Sequence, residues 1–183
     1  QEQVYQGGAL GTSYAIKLFS SDTTDLQPGI DSVFRVVNQS LSTYLPDSDI
    51  SRINQGEDSL MVDAMFREVF EASAEIYTRT NGYFDPTVGI LVDAWGFGPG
   101  TAMEMDSARV DSLLRYVGFE KLRLEEGRII KEVPGMRLDF NAIARHIIIA
   151  LNGTAALHAC SRDPAILEQA VNELRFYVQQ LQK

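Results

Sequence analysis

The chain has 183 residues, of which 45% are hydrophobic, and this is enough for one folded domain with a core of its own. Its net charge of −9 comes without a basic block, so we expect no nucleic acid partner. No apolar run approaches the ~20 residues of a bilayer span, so we expect no transmembrane segment, and the polar opening Gln1-Glu2-Gln3 indicates that any targeting segment has been removed.

The first half of the chain contains one strand pattern and two helix patterns. Partial alternation in residues 12–19 predicts a strand with one face formed by Tyr14, Ile16 and Leu18. Asp31 can cap a helix whose apolar residues follow helical spacing, namely Val33, Phe34, Val37 and Leu41. A longer helix is predicted from about Asp63 to Arg79, with one face formed by Met65, Phe66, Val69, Phe70, Ile76 and Tyr77.

The second half contains a predicted helix and a predicted hairpin. Ser107 begins a helix that Gly118 closes, because glycine accepts the left-handed backbone found past a helix end. Residues 121–125 and 128–133 flank Glu126-Gly127, which is typical of a hairpin with a two-residue turn.

The last predicted element is a helix over residues 164–182, which starts at Asp163-Pro164 and has an apolar stripe. Residues 153–163 are the candidate linker before it. Strands and helices do not alternate regularly along the chain, which favours the α+β class, with a mixed or antiparallel sheet and packed helices.

Residues 80–98 form the most informative segment. Gly82 suits the left-handed position after a helix. Pro86 pushes Asp85 toward extended backbone, so the side chains of Asp85 and Thr87 are held in fixed directions.

Four segments occur in the order and rough spacing of a known family. They are residues 10–14, 41–54, 80–98 and 138–144. The third is the most specific, since it reads Phe-Asp-Pro-Thr-Val-Gly and then Trp-Gly-Phe-Gly. Over roughly residues 7 to 144 the chain resembles the ApbE family, which consists of FAD:protein FMN transferases.

The resemblance implies an FAD site assembled from these segments. Tyr44 would stack on the isoalloxazine ring, and Leu10 would form an apolar wall. The segment Tyr83-Phe84-Asp85 would contact the FAD nucleotide, with the carboxylate accepting from a ribose hydroxyl or the adenine amine, and Asp139 would also bind FAD.

The residues themselves leave a second interpretation open for each polar group. Tyr44 could cover the core, and Asp85 could be a turn residue before Pro86. Asp139 could cap the start of a helix at Asn141, a role that is compatible with ligand binding.

The resemblance also implies a Mg²⁺ ion held partly by the backbone carbonyl of Ala142. Arg145 replaces a family lysine that faces the flavin pyrophosphate, and His146 replaces a glycine. After Ala144 the chain departs from the family, and the Asp and Thr that would complete the metal site have no counterpart up to Lys183. We therefore expect an ApbE-like flavin-binding region over residues 1–150 and a divergent helical tail over residues 151–183.

Two functions are consistent with these observations. The first is Mg²⁺-dependent transfer of FMN from FAD to a Thr or Ser of an acceptor flavoprotein, with release of AMP. The second is an inactive FAD-binding or structural remnant, which could pair as a homodimer. By resemblance, the protein is expected in the periplasm, lipid-anchored to the inner membrane through a cysteine before Gln1.

Overall fold

A computed structural model of the protein describes residues 2–9 and 12–141. These residues fall into two compact units: residues 2–9 and 12–35 belong to the first, and residues 36–141 belong to the second.

The first unit begins with an antiparallel pair of strands. β1 (Glu2–Ala9) pairs with β2 (Thr12–Phe19) in a continuous register, from Glu2 opposite Phe19 to Ala9 opposite Thr12. β2 confirms the predicted strand. No sequence signal predicts β1, because its polar residues and Gly7-Gly8 have low strand propensity and cross-strand pairing must supply the order.

Helix α1 (Gln27–Leu41) begins before Asp31, so the prediction that Asp31 caps it is wrong. Asp25 accepts a hydrogen bond from Gln27 N at 3.0 Å, and Pro28 lies in the first turn, where its lack of an N–H costs nothing. Asp31 instead accepts from the side-chain amide of Gln27 at 2.7 Å. The buried apolar side chains of the first unit include Tyr5, Leu18 and Phe34.

After α1, the described part of the second unit contains helices, a 3₁₀ turn and a hairpin. These elements are α2 (Asp49–Asn54), α3 (Ala64–Arg79), α4 (Gly89–Ala94), α5 (Ser107–Leu114), the turn Phe119–Lys121, β3 (Leu122–Glu125) and β4 (Arg128–Lys131). The helices α2 and α4 have 6 residues each, which is too short for a helical period to stand out in the sequence.

The core of the second unit forms around α3, which confirms the predicted helix. Asp63 caps α3 by accepting from Phe66 N at 2.7 Å. The Phe66 side chain is fully buried and meets Phe140 edge to face, with ring centroids 5.4 Å apart. Phe70, one turn further along, packs against Phe119 at 4.9 Å.

The hairpin and the helix before it also follow the sequence, with shifted ends. Glu126 and Gly127 have φ values of 48° and 76°, the left-handed conformations that a two-residue hairpin turn requires. β4 ends at Lys131, and α5 ends at Leu114, before Gly118. The predicted end points of both elements are therefore too late.

The combination of helices with antiparallel strand pairs confirms the α+β class. The helix predicted over residues 164–182 lies outside the described residues. Within residues 2–9 and 12–141, no helix combines the length and hydropathy needed to span a bilayer.

We expect Phe66→Ala to lower the free energy of unfolding by about 3–5 kcal/mol, because it opens a cavity against Phe140. The matched control is Phe97→Ala, since the Phe97 side chain is 77% exposed and its loss should change stability little. Urea unfolding followed by circular dichroism measures both variants, and equal losses would contradict this account of the core.

A second prediction concerns pH. The Tyr77 hydroxyl donates to Glu120 at 2.5 Å, which raises the pKa of Tyr77 to about 12 and lowers the pKa of Glu120. The carboxylate contributes stability above its ordinary pKa of 4.5 and loses it as pH falls through the lowered value. The hydroxyl contributes below its ordinary pKa of 10.0 and loses this as pH rises toward about 12.

Tyr77→Phe should therefore lower the free energy of unfolding near pH 7, by less than about 1 kcal/mol because the pair is solvent-exposed. The difference from the wild type should shrink in both acid and strong alkali. Unfolding curves at about pH 3, 7 and 11 test this shape, which a difference independent of pH would refute.

Candidate functional site

A cavity of about 230 Å³ opens on the second unit. It collects polar groups from the loop after α1, from α2, from α4 and the turn after it, and from the segment after β4. The lining residues are Thr43, Ser51, Asn54, Gln55, Gly89, Asp93, Pro99, Gly100, Arg137, Leu138 and Asp139.

Main-chain contacts join the segment of Asp85 to the segment of Asp139. Asp139 N donates to the Pro86 carbonyl at 2.8 Å, and Val88 pairs with Arg137 in an isolated parallel bridge. A Cβ on Gly89 would lie 3.0 Å from the Arg137 carbonyl oxygen, so glycine allows the two backbones to approach this closely. The two segments that the resemblance assigns to FAD therefore lie side by side.

Asn54, the last residue of α2, holds the backbone before Asp139. Its side-chain amide donates to the Leu138 carbonyl at 2.9 Å, and its side-chain oxygen accepts from Leu138 N at 2.8 Å. Leu138 is only 1% exposed, so both of its main-chain groups depend on this one side chain. Asn54 thereby fixes the position at which Asp139 enters the cavity.

The end of α2 is itself held by two cations. The Lys131 ammonium donates to the Ile53 carbonyl at 2.6 Å; burial lowers the pKa of Lys131, and Asp58 at 3.8 Å opposes that shift. Arg52 donates twice to Glu57, at 2.8 and 2.5 Å, and this hydrogen bonding lowers the pKa of the Glu57 carboxyl. These contacts fix the helix end from which Asn54 projects.

Serine hydroxyls hold the loop that carries Thr43 and Tyr44. The Ser42 carbonyl accepts from Ser48 Oγ at 2.6 Å and from Ser51 Oγ at 3.2 Å. Asn141 then donates to Thr43 Oγ1 at 3.0 Å. The loop is thus tied both to α2 and to the chain just after Asp139.

Tyr44 itself lies at the outer side of this loop with its side chain about half exposed. Its hydroxyl donates to the Phe97 carbonyl at 3.2 Å, in the turn whose residues Pro99 and Gly100 line the cavity. Tyr44 is not among the lining residues, but its hydroxyl bond links the loop of Thr43 to the turn of Pro99 and Gly100, and both of these line the cavity.

The Asp85 side chain closes a turn by bonding Thr87, two residues further along the chain. Its Oδ1 accepts from Thr87 N at 2.8 Å and from Thr87 Oγ1 at 2.6 Å. The same Thr87 hydroxyl, fully buried, accepts from Gly118 N at 2.7 Å. The structure thus gives Asp85 its turn role, and contact with FAD stays a prediction for this residue.

At the mouth of the cavity, Arg137 Nη1 forms an ion pair with Asp93 Oδ2. The other oxygen of this carboxylate faces the turn after α4 that contains Gly98 and Gly100, here called the glycine turn, and accepts from Gly100 N at 3.4 Å. A Cβ on Gly98 would overlap Asp93 Oδ1, so the turn can approach the carboxylate only because Gly98 lacks a side chain.

Asp139 is the predicted FAD residue that the structure places in the cavity wall. Its Oδ1 accepts from Asn141 N at 2.8 Å, which supports the capping role. A carboxylate has about four lone-pair sites, so capping and ligand binding are compatible.

The other predicted residues lie away from the cavity or beyond the described chain. The Tyr83 side chain is 96% exposed, and neither it nor Phe84 is among the lining residues. Leu10, Ala142 and Arg145 lie outside the described residues, so their roles stay predictions.

Sequence reasoning missed Asn54, Asp93 and Arg137 as site residues. Asn54 does end the matched segment 41–54, but nothing in the sequence pairs it with Leu138. Asp93 and Arg137 are separated by 44 residues, and only the fold brings them together.

The described residues do not fit a magnesium site by themselves. Residues 2–9 and 12–141 contain no group of three or more His, Cys, Asp or Glu side chains placed to hold a metal ion. Mg²⁺ prefers octahedral oxygen coordination. Asp93 and Asp139, the carboxylates of the cavity, are too few to provide it.

What the cavity can do is bind a polar ligand. The Asp139 carboxylate can accept from hydroxyl or amine groups, and the Arg137 guanidinium can bind anions. The backbone between them is held in place by the Asn54 side chain. The volume of the cavity is below the ~300–1,000 Å³ of pockets that enclose a whole drug-sized ligand, so it would enclose a small ligand or one part of a larger ligand.

Comparisons with known proteins agree with the resemblance. The sequence profile of the ApbE family matches residues 10–158, so the match continues past Ala144, where the motifs predicted that it would end. An FAD:protein FMN transferase of Vibrio cholerae is 33% identical over 153 residues, which are 79% of this chain and 46% of that protein. One of Haemophilus influenzae is 29% identical, over 76% of this chain and 44% of that protein.

Solved structures give the same result for the fold. The flavin transferase ApbE from Vibrio cholerae matches with a TM-score of 0.78 and 28% identity, covering 88% of this chain and 54% of that one. The apo flavinyl transferase ApbE of Pseudomonas stutzeri has a TM-score of 0.74 and 26% identity, covering 85% and 55%. The chain spans about half the length of the curated relatives it matches.

The two hydrogen bonds between the Asn54 side chain and the Leu138 backbone, here called the Asn54 clamp, lead to a prediction about stability. Asn54→Ala leaves the buried N–H and carbonyl of Leu138 without partners and should lower the free energy of unfolding by about 2–4 kcal/mol. Asn54→Asp keeps the acceptor but loses the donor, so it should fall between Ala and the wild type.

The matched control is the neighbouring Gln55→Ala, because Gln55 is exposed and its side-chain amide donates to the Pro46 carbonyl at 3.1 Å, whereas the Leu138 backbone bonds Asn54. Its loss should be under about 0.5 kcal/mol. Denaturant unfolding measures all three variants, and an Asn54→Ala effect as small as the control would refute the clamp.

Proposed function

We propose that this chain, which belongs to the ApbE family, forms the FAD-binding part of an FAD:protein FMN transferase. The observation that carries the proposal is the convergence of family-matched segments on one cavity: Asn54 and Thr43 from one, Gly89 and Asp93 from the next, Leu138 and Asp139 from the last. A site for one ligand is the simplest reason for these segments to meet there.

In the proposed reaction, a Thr or Ser hydroxyl of an acceptor flavoprotein attacks the FMN phosphorus of bound FAD. A new phosphorus–oxygen bond forms, the bond from that phosphorus to the AMP group breaks, and the hydroxyl proton is lost to solvent or a base. Reactions of this kind depend mainly on positioning and on neutralisation of phosphate charge.

The described residues contribute binding and orientation to this proposal. Asp139, fixed through Leu138, is positioned to accept from a ribose hydroxyl or from the adenine amine. Tyr44 offers a half-exposed ring for stacking on the flavin, and its hydroxyl bond to Phe97 fixes one edge of that ring. No step is assigned to Mg²⁺, because the described residues do not form its site.

A second candidate is FAD binding without transfer. It rests on the same cavity, whose described residues offer groups for binding a polar ligand. Homodimer formation belongs to this candidate and is tested by light scattering of the purified chain.

The experiment that separates the candidates mixes the chain with FAD, Mg²⁺ and an acceptor flavoprotein. AMP release together with a fluorescent acceptor band in a denaturing gel supports transfer. Quenching of FAD fluorescence without AMP supports binding alone. If neither is seen, the flavin proposal is wrong.

We also propose a periplasmic location with a lipid anchor in the inner membrane, for which the support is family membership. Cell fractionation followed by detection of the chain in the periplasmic membrane fraction tests this. Recovery from the cytoplasm would refute it.

Tyr44→Ala should weaken FAD binding about two- to ten-fold beyond the loss of buried area, since ring stacking contributes ~0.5–1.5 kcal/mol. The control is Tyr44→Phe, which keeps the ring and removes only the hydroxyl bond to Phe97. FAD fluorescence titration measures both. If the dissociation constant of Tyr44→Ala equals that of the wild type, Tyr44 does not stack on the flavin and its role is structural.

A further inference from the structure

FAD is an anion, whereas the described lining residues of the cavity carry more negative than positive charge. They include two carboxylates, Asp93 and Asp139, and one cation, Arg137. The whole chain has a net charge of −9, and FAD brings the two negative charges of its pyrophosphate. A dianion can enter such a site only if a positive group meets it there.

Arg137 is the described lining residue that can meet an anion. Its side chain is 45% exposed at the cavity mouth, whereas that of its partner Asp93 is only 15% exposed. A guanidinium has five N–H donors in a planar fork. The pair with Asp93 engages Nη1, and the remainder of the fork can bond phosphate oxygens.

Asp93 is the fixed member of this pair. Its carboxylate lies within α4 and is enclosed by the glycine turn through Gly100 N and the bare backbone of Gly98. The Arg137 side chain, by contrast, extends from an exposed position on its segment. The Asp93 carboxylate therefore determines the position of the Arg137 guanidinium and neutralises part of its positive charge.

We propose that Arg137 contacts a phosphate group of FAD in this cavity, and that Asp93 holds the guanidinium at the mouth and competes with the phosphate for it. This inference rests on the proposed function, because it takes FAD as the ligand. Arg137 is then a ligand-binding residue, and Asp93 is a positioning residue that lowers affinity for the anion.

The test compares FAD with riboflavin, which has the same ring system and no phosphate. Arg137→Gln should weaken FAD binding about ten-fold, the loss expected for a charge-assisted hydrogen bond, and leave riboflavin binding unchanged. Salt should weaken FAD binding less in this variant than in the wild type, since one screened attraction has been removed.

Asp93→Asn is the matched opposite change. It removes negative charge and releases Arg137, so it should strengthen FAD binding several-fold, again without effect on riboflavin. The double variant should bind FAD somewhat more tightly than Arg137→Gln, because the direct repulsion between Asp93 and the phosphate is also removed, but more weakly than Asp93→Asn, because the guanidinium is missing. Arg137→Lys keeps the charge but loses the fork, so its affinity for FAD should fall between that of the wild type and that of Arg137→Gln.

Opposite effects of the two single variants on FAD support the proposal. If both weaken FAD and riboflavin alike, the pair is a structural clasp and the proposal is wrong. Unchanged FAD affinity in Arg137→Gln also overturns it while leaving the proposed function intact. If the wild-type chain itself fails to bind FAD, the proposed function fails first and takes this inference with it.

Discussion

The arrangement of the cavity depends on the paired hydrogen bonds between the Asn54 side chain and the backbone of Leu138. Each such bond contributes only ~1 kcal/mol net, but a buried group left without a partner costs ~1–3 kcal/mol. A single amide that serves both groups of one buried residue therefore makes alternative positions of the segment costly. Arg137 and Asp139 flank Leu138 in the chain, so the same two hydrogen bonds also fix the backbone from which their side chains extend.

Several elements could be predicted because their signals are local. Asp63 followed by an apolar face predicts α3, Glu126-Gly127 predicts the hairpin, and alternation predicts β2. The match to a family drew attention to Asp139, which lines the cavity, and its contact with FAD stays a prediction. In each case the information lies within a few residues of the chain, where capping, turn geometry and periodicity act.

The rest could not be predicted because it is decided by distant partners. β1 contains Gly7-Gly8 and polar residues, and its order comes from pairing with β2. The start of α1 at Gln27 was not predicted, because a proline such as Pro28 is common both in turns and in the first turn of a helix. Asn54 and Arg137 look like ordinary surface residues in the sequence, and the fold alone gives each its partner.

The separation of 84 residues between Asn54 and Leu138 has a consequence for how the protein forms. Closing so long a loop must precede any gain from the contact, so the cavity belongs to the late steps of folding. During synthesis, α2 and α3 emerge well before residue 138, so the wall of the cavity that contains Leu138 and Asp139 cannot form until those residues are released. Formation of the cavity is thereby restricted to chains in which this region has been synthesised.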